Sequence, residues 1–361
     1  MGFARVFALV PDCHTSGRYA RLWRRHFYEG LEGVIPTVVL PREVDYDWAR
    51  PPQHVPPAGS PARDRVSDQL WQQVKGAHER GGLSAVLSYC FVSDIDPAVI
   101  ARTVEMGVPW INFFCDSVYA FDYVEALARV TSLNWFPEHA ALPNYRAAGR
   151  PLLCRPYALN PAALPAAFCE TADHAVGFVG APTSNRVILL AALWALGCRV
   201  AVRGEGWIAS RSRPAPKGTV RTRGSRLERL VIRFLKPIVQ RGSTPLSASE
   251  MTAFLAHCRL VLGLNEGRDI DGKYRSYLKF RDIEFPGYGC CYLTQHNADV
   301  VTALEPGREV LTFHHVSEAA SLIRWSKRHP REAQAIGHAA RTRVFAEHTW
   351  ATRITELARA L

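Results

Sequence analysis

Short apolar runs alternate with longer amphipathic ones through both halves of the chain, and that rhythm leaves few folds open to it. In the first half, residues 6–10, 38–40, 85–89 and 110–114 read as strands, and 19–31, 64–80 and 97–105 carry the 3.6-residue spacing of helices. In the second half the strands are 176–179, 199–203, 260–264 and 291–294, and the helices 186–196, 249–257 and 317–328. Two further helices, 331–347 and 350–361, are separated by His348 and Thr349. Strand and helix in strict alternation build a parallel, doubly wound sheet with helices on both faces. A chain of 361 residues exceeds most single domains, so two cores of comparable size are expected. The proline-rich run 156–165 is the natural linker, because such segments connect two lobes semi-rigidly.

Composition narrows the class. A hydrophobic share of 48% and a charged share of 21% are ordinary for a globular protein. The 9 cysteines sit among apparent core strands, as at Cys90, Cys115, Cys198 and Cys258, with no C-x-x-C pair. They read as reduced packing residues rather than disulfides or zinc ligands, and the neighbours Cys290 and Cys291 should face opposite sides of a strand. No run offers the roughly 20 apolar residues of a membrane span, and residues 5–10 read as a first strand rather than a signal peptide. The expectation is a cytoplasmic protein. The formal charge of +11 is concentrated in 211–241, where ten Lys and Arg residues are opposed by Glu228 alone. That run is either a solvated insertion, about 208–243, or a contact for an anionic membrane surface or a phosphate-bearing acceptor. Nucleic acid is the weaker partner, since aromatics are almost absent from it.

Chemistry is concentrated in residues 278–294, LKFRDIEFPGYGCCYLT, where Lys279, Arg281 and Glu284 precede a Pro-Gly-x-Gly turn that feeds a short apolar strand. A carboxylate accepts hydrogen bonds from a vicinal diol, and Lys and Arg neutralise phosphate oxygens. The block resembles the K-x-R-D-F-E-x-P-x-x-G-x-x-L-T signature of the CgeB-like (spore maturation protein) branch of the GT-B glycosyltransferases. The resemblance extends in order through Val176–Gly180 with 185–190, the Gly204-Glu205-Gly206-Trp207 turn, Cys258–Asn265, and Glu347-His348-Thr349-Trp350 with Arg353. It is close from about 173 to 357 and loose before that.

The resemblance implies a GT-B fold: two Rossmann-like parallel-sheet domains facing a cleft, with the final helix crossing back to the first. The expected boundaries are 1–160 for the acceptor-side domain, 161–335 for the nucleotide-sugar-binding domain and 336–361 for the returning helices. It also puts Glu284 in the place of the carboxylate that holds the donor ribose in E-x7-E enzymes; the plain alternative is a helix N-terminal charge. The other acidic position of that pattern is Ser276 here, and Asp269 or Asp271 could substitute only from a folded-over loop. Lys279 and Arg281 are candidates for the donor pyrophosphate or simple ion-pair partners of Asp282 and Glu284. Gly287 serves turn geometry first and ligand approach second.

Other loops at strand ends complete the candidate set, because ligands of open α/β sheets bind beyond the carboxyl ends of the strands. Gly180, Asn185 and Arg186 bracket a helix N-terminus that either seats a phosphate or is merely capped. Asn265 ends a strand; Gly206 belongs to a turn whose Trp207 either stacks on a nucleobase or covers the sheet. Asp12 and His14 follow the first strand, and Asp116 follows a later one; each is either a general base for an acceptor hydroxyl or a loop cap. No metal motif is present, and cationic side chains and helix termini can offset a leaving diphosphate. The expected activity is transfer of a hexose from a UDP-, GDP- or dTDP-sugar to a hydroxyl acceptor, with retention preferred by analogy. A GT-B nucleotide-sugar epimerase and a non-catalytic scaffold are the alternatives.

Overall fold

The computed structural model describes residues 2–14, 20–42, 61–165, 174–204, 207, 246–268 and 274–361. The basic run 211–241, Gly206, Asp269 and Asp271 lie outside the described residues. In chain order the strands are β1 (Arg5–Leu9), β2 (Thr37–Val39), β3 (Ala85–Ser88), β4 (Trp110–Phe113), β5 (Leu133–Phe136), β6 (Leu152–Cys154), β7 (His174–Val179), β8 (Ala201–Arg203), β9 (Cys258–Gly263), β10 (Glu266–Arg268), β11 (Tyr274–Ser276), β12 (Cys291–Gln295) and β13 (Leu311–Phe313). They form a six-stranded sheet ordered β2-β1-β3-β4-β5-β6, a five-stranded sheet ordered β13-β12-β9-β7-β8 and a small β10–β11 hairpin. Every pair in the two large sheets is parallel, as with Val6 beside Ala85 and Gly177 beside Val261. Numbered within its own lobe, the first sheet reads 2-1-3-4-5-6 and the second 2-1-3-4-5, the doubly wound order whose switch points lie at β1/β3 and β7/β9.

Helices cover both faces of each sheet, so the central strands are buried on both sides. β3 (AVLS) and β4 (WINF) have every residue buried. β5 lies inside the sheet although Asn134 interrupts its apolar run. That residue is tolerated because its Nδ2 donates to the Ala128 carbonyl at 3.0 Å and its Oδ1 accepts from Thr131 Oγ1 at 2.7 Å. The sequence pattern alone did not reveal β5, nor the three-residue edge strands β6 and β13. Residues 281–287 form a helix with Pro286 inside its last turn, so Arg281 and Glu284 lie on that helix and Lys279 just ahead of it, and the turn at 288–289 then leads into β12. Cys290 and Cys291 do face opposite cores of the second lobe. No cysteine among the described residues forms a disulfide.

The chain crosses between lobes twice, side by side. Leu159 of the outgoing segment forms a parallel bridge with Thr349 of the returning one, the Leu159 N–H donating to the His348 carbonyl at 2.7 Å. The helix Pro330–Glu347 packs on the second lobe, whereas Trp350–Ala360 joins the first-lobe core through Trp350, Ile354 and Leu357. Trp350 is 1% exposed and donates its indole N–H to the His26 carbonyl at 2.6 Å. Gly30 makes this approach possible, since a side chain there would overlap the Trp350 ring. The first helical region, expected at 19–31, is an α-helix interrupted by a π-helical stretch, Arg24–Tyr28, which carries His26. No helix among the described residues is long and apolar enough to cross a membrane.

Candidate active site

Two loops meet at the β7/β9 switch point. Val179 ends β7, Gly180 follows, and Thr183 caps the helix Ser184–Ala195 by accepting the Arg186 N–H at 3.4 Å. Arg186 reaches back over both strand ends, donating Nε to the Leu264 carbonyl and Nη1 to the Ala181 carbonyl, each at 3.0 Å. Arg281 arrives from the helix Arg281–Gly287 and donates Nη1 to the Val179 carbonyl at 3.2 Å. The two guanidinium groups converge on Gly180, where a methyl group would lie 3.2 Å from each Nη1. Two permanent cations thus flank a bare backbone at the mouth of a switch point, an arrangement suited to a diphosphate. Asn185 opens the same helix and is partly exposed. Trp207 is 1% exposed and donates Nε1 to the Gly180 carbonyl at 2.7 Å. It covers the sheet and props this loop.

Beneath the charged block, Asp282 organises the backbone. It is fully buried and accepts from Asn265 Nδ2 at 2.5 Å, Tyr292 OH at 2.6 Å and the Lys279 N–H at 2.7 Å. Burial raises its carboxyl above the ordinary range, against the lowering pull of these donors. Asn265 is thereby committed to Asp282 through Nδ2, while its own N–H donates to Gln295 Oε1 at 3.2 Å. Gly287 packs against Leu164 and Leu159, and its carbonyl accepts from Arg341 Nη1 at 2.6 Å.

The block also touches the first lobe, which the sequence pattern did not reveal. Phe280 inserts among Trp23, His26 and Tyr157, with ring centroids at 5.8, 4.9 and 4.8 Å. Lys279 donates to the Asp116 carboxylate and to Tyr277 OH. Burial opposes the Lys279 charge, but Asp116 and Tyr277 together outweigh it and hold the ammonium above its usual range. Glu284 is 5% exposed; its Oε1 lacks a hydrogen-bond partner and lies 3.6 Å from His26 Nε2. Asp299, on the helix Ala298–Ala303, accepts from the His139 N–H at 2.9 Å and lies 2.8 Å from its Nδ1, a further link between lobes.

On the first lobe, Asp116 and Glu138 follow β4 and β5. Asp116 is the one non-glycine residue with positive φ, +62°, among those described. Its N–H donates to Glu138 Oε1 at 2.6 Å. Glu138 is fully buried, and burial together with the Asp116 charge pushes its carboxyl up to about 8. Asp12 and His14 fall in the short 3-10 turn Pro11–His14 after β1; their side chains lie outside the described residues. Glu138, His139, Asp299 and His26 escaped sequence reasoning: Glu138 and His139 follow a strand disguised by Asn134, and His26 lies in the first helical region without a motif. A groove of about 570 Å³ lined by Leu311, Leu322, Trp325 and Ile336 includes none of these residues.

No curated protein sequence matches the chain. Sucrose-phosphate synthase from Thermosynechococcus elongatus superposes with a TM-score of 0.61 at 12% identity, covering 98% of this chain and 97% of that one. HepE from Anabaena, in complex with UDP-glucose, gives 0.59 at 12% identity over 99% and 100%. AviGT4, a glycosyltransferase involved in avilamycin A biosynthesis, gives 0.57 at 14% identity over 99% and 96%. At such identities these likenesses establish the fold. Residues 186–359 match the family described as glycosyl transferase-like, so a two-lobed GT-B fold here carries a glycosyl transferase-like second half.

Proposed function

We propose that this chain is a glycosyltransferase that binds a nucleotide-diphosphate sugar in the interlobe cleft and transfers its sugar to a hydroxyl acceptor. The convergence of Arg186 and Arg281 on Gly180 is the observation that carries this reading. In it the donor diphosphate lies over Gly180, near the helix N-terminus at Asn185, and the guanidiniums offset the charge that develops as the diphosphate leaves. Glu284, whose Oε1 has no hydrogen-bond partner, takes the ribose diol once the lobes part enough to admit it. Lys279 adds a third cation, and Asp116, with Asp12 and His14, supplies the base for the acceptor hydroxyl. Gly206, Asn265 and Gly287 shape the loops around the donor. A uridine nucleotide is the first donor to test, because HepE binds UDP-glucose. Retention at the anomeric carbon, no need for a metal, membership of the CgeB-like branch and peripheral contact of the basic run 211–241 with an anionic surface complete the proposal.

A second reading has one specific support: a UDP-N-acetylglucosamine 2-epimerase from Listeria monocytogenes, described as putative, shares the fold with a TM-score of 0.52 at 11% identity. An epimerase would interconvert its donor without an acceptor, which a donor-only assay separates. The decisive experiment is calorimetric titration with UDP and UDP-glucose of the wild type and R281Q. A lost charge-assisted hydrogen bond is worth about 1.5–3 kcal/mol, so affinity should fall roughly ten- to a hundredfold with thermal stability kept. Unchanged affinity in R281Q for a nucleotide the wild type binds would remove the guanidinium pair from the donor site.

A further inference from the structure

The carboxylate of Asp116 meets Lys279 from an unusual backbone. A residue with a side chain seldom adopts the left-handed conformation at φ +62°, and it persists only where surroundings support it. Here the enforcing contact is the 2.6 Å hydrogen bond from the Asp116 N–H to Glu138 Oε1. Glu138 is itself immobilised, at 0% exposure, with Oε2 lacking any partner. A buried acid with one oxygen committed to a backbone N–H and the other unsatisfied is expensive to keep, so packing alone does not account for it.

We infer that Glu138 is a positioning residue for Asp116: its Oε1 anchors the Asp116 N–H and so aims the Asp116 carboxylate across the cleft at Lys279. This rests on the reading above, in which Asp116 faces the acceptor. The surrounding charges give the anchor a pH dependence. Asp116 and Cys115 face Glu138 from the loop after β4, Tyr145 from the helix Leu142–Ala147, Cys154 from β6, Lys279 from the charged block and Asp299 from the second lobe, with His139 bonded to Asp299. Burial and the negative neighbours favour the neutral acid, and only Lys279 favours its ionised form among the side chains. Well below pH 8 the anchor is therefore mostly neutral, and Asp116 is the carboxylate that answers Lys279. Above it a second anion appears beside Asp116 and competes for the same ammonium.

The test follows the Asp116 amide by 15N–1H NMR from pH 6 to 9, and UDP release from UDP-glucose, in the full-length wild type, E138Q and E138A. The Asp116 amide resonance should titrate with a midpoint near pH 8 in the wild type and stay flat in E138Q. UDP release should fall about tenfold in E138A; E138Q, whose amide oxygen still accepts the N–H, should recover most of it below pH 7.5 and lack the alkaline fall. An Asp116 amide that does not sense pH in the wild type, or titrates equally in E138Q, overturns the inference. So does E138A releasing UDP at the wild-type rate. If the wild type turns over no UDP-glucose, that counts against the proposed function with this donor, and the amide titration decides the positioning role by itself.

Discussion

Asp282 offers the sharpest test of how the charged block is held. Replacing it with alanine strips the acceptor from Asn265 Nδ2, Tyr292 OH and the Lys279 N–H, which it holds at 2.5, 2.6 and 2.7 Å. Asn265 and Tyr292 are 0% exposed, so water cannot replace the lost acceptor without entering the core. An orphaned buried donor costs about 1–3 kcal/mol, which for three donors gives roughly 3–9 kcal/mol. Removing a carboxylate that burial itself disfavours returns part of this, leaving an expected loss of about 3–5 kcal/mol. Against the ~5–15 kcal/mol that typically separates folded from unfolded chains, this is a large fraction. Urea denaturation at pH 7 followed by far-UV circular dichroism measures it, read on the second-lobe transition should the lobes unfold separately. Y292F, which removes one donor and leaves the others satisfied, should cost only about 1 kcal/mol. If D282A lay within 1 kcal/mol of wild type at an unchanged slope, the carboxylate would not be what organises the block.

Two further predictions concern the frame of the site. His348 is buried at the return crossing, with Nε2 3.2 Å from the Ala303 carbonyl, and burial lowers its pKa to about 4. The unfolded chain binds the proton more readily, so the stability His348 contributes is complete above pH 6.5 and is lost as pH falls towards 4, by about 3 kcal/mol. H348Q should therefore lose less stability than wild type between pH 7 and 4.5, and equal losses in the two proteins would refute this. Gly263 ends β9 where an added methyl would overlap Tyr292 OH and crowd Thr294 Oγ1 at 2.7 Å. G263A should cost about 1–3 kcal/mol by overpacking and by pushing Tyr292 off Asp282. The double variant G263A/Y292F should recover part of the loss, and a G263A melting temperature equal to wild type would exclude the clash.

Much of the fold was legible in the chain because a parallel, doubly wound sheet writes itself locally: β1, β3, β4, β7, β9 and β12 are short apolar runs, and their burial on both faces follows from that pattern. The strands that escaped are those whose residue pattern does not advertise burial. β5 contains Asn134, satisfied only by Thr131 and Ala128 in three dimensions, and β6 and β13 are short edge strands. Arg186 and Arg281 were readable as cations near the ends of strands, but their convergence on Gly180 was not.

Pairings were not readable, because burial and distance belong to tertiary structure. Nothing local distinguishes Asp282, which the fold spends on its own backbone, from Glu284 two residues on, which it turns towards His26 of the other lobe. Nor does sequence spacing tell that Lys279 meets Asp116 across 163 positions, or that Glu138 is buried beneath them with its carboxyl pushed up to about 8. The residues' chemistry was set along the chain; which carboxylate carries charge, which accepts from the backbone and which faces the other lobe was decided when two sheets met and water was excluded between them.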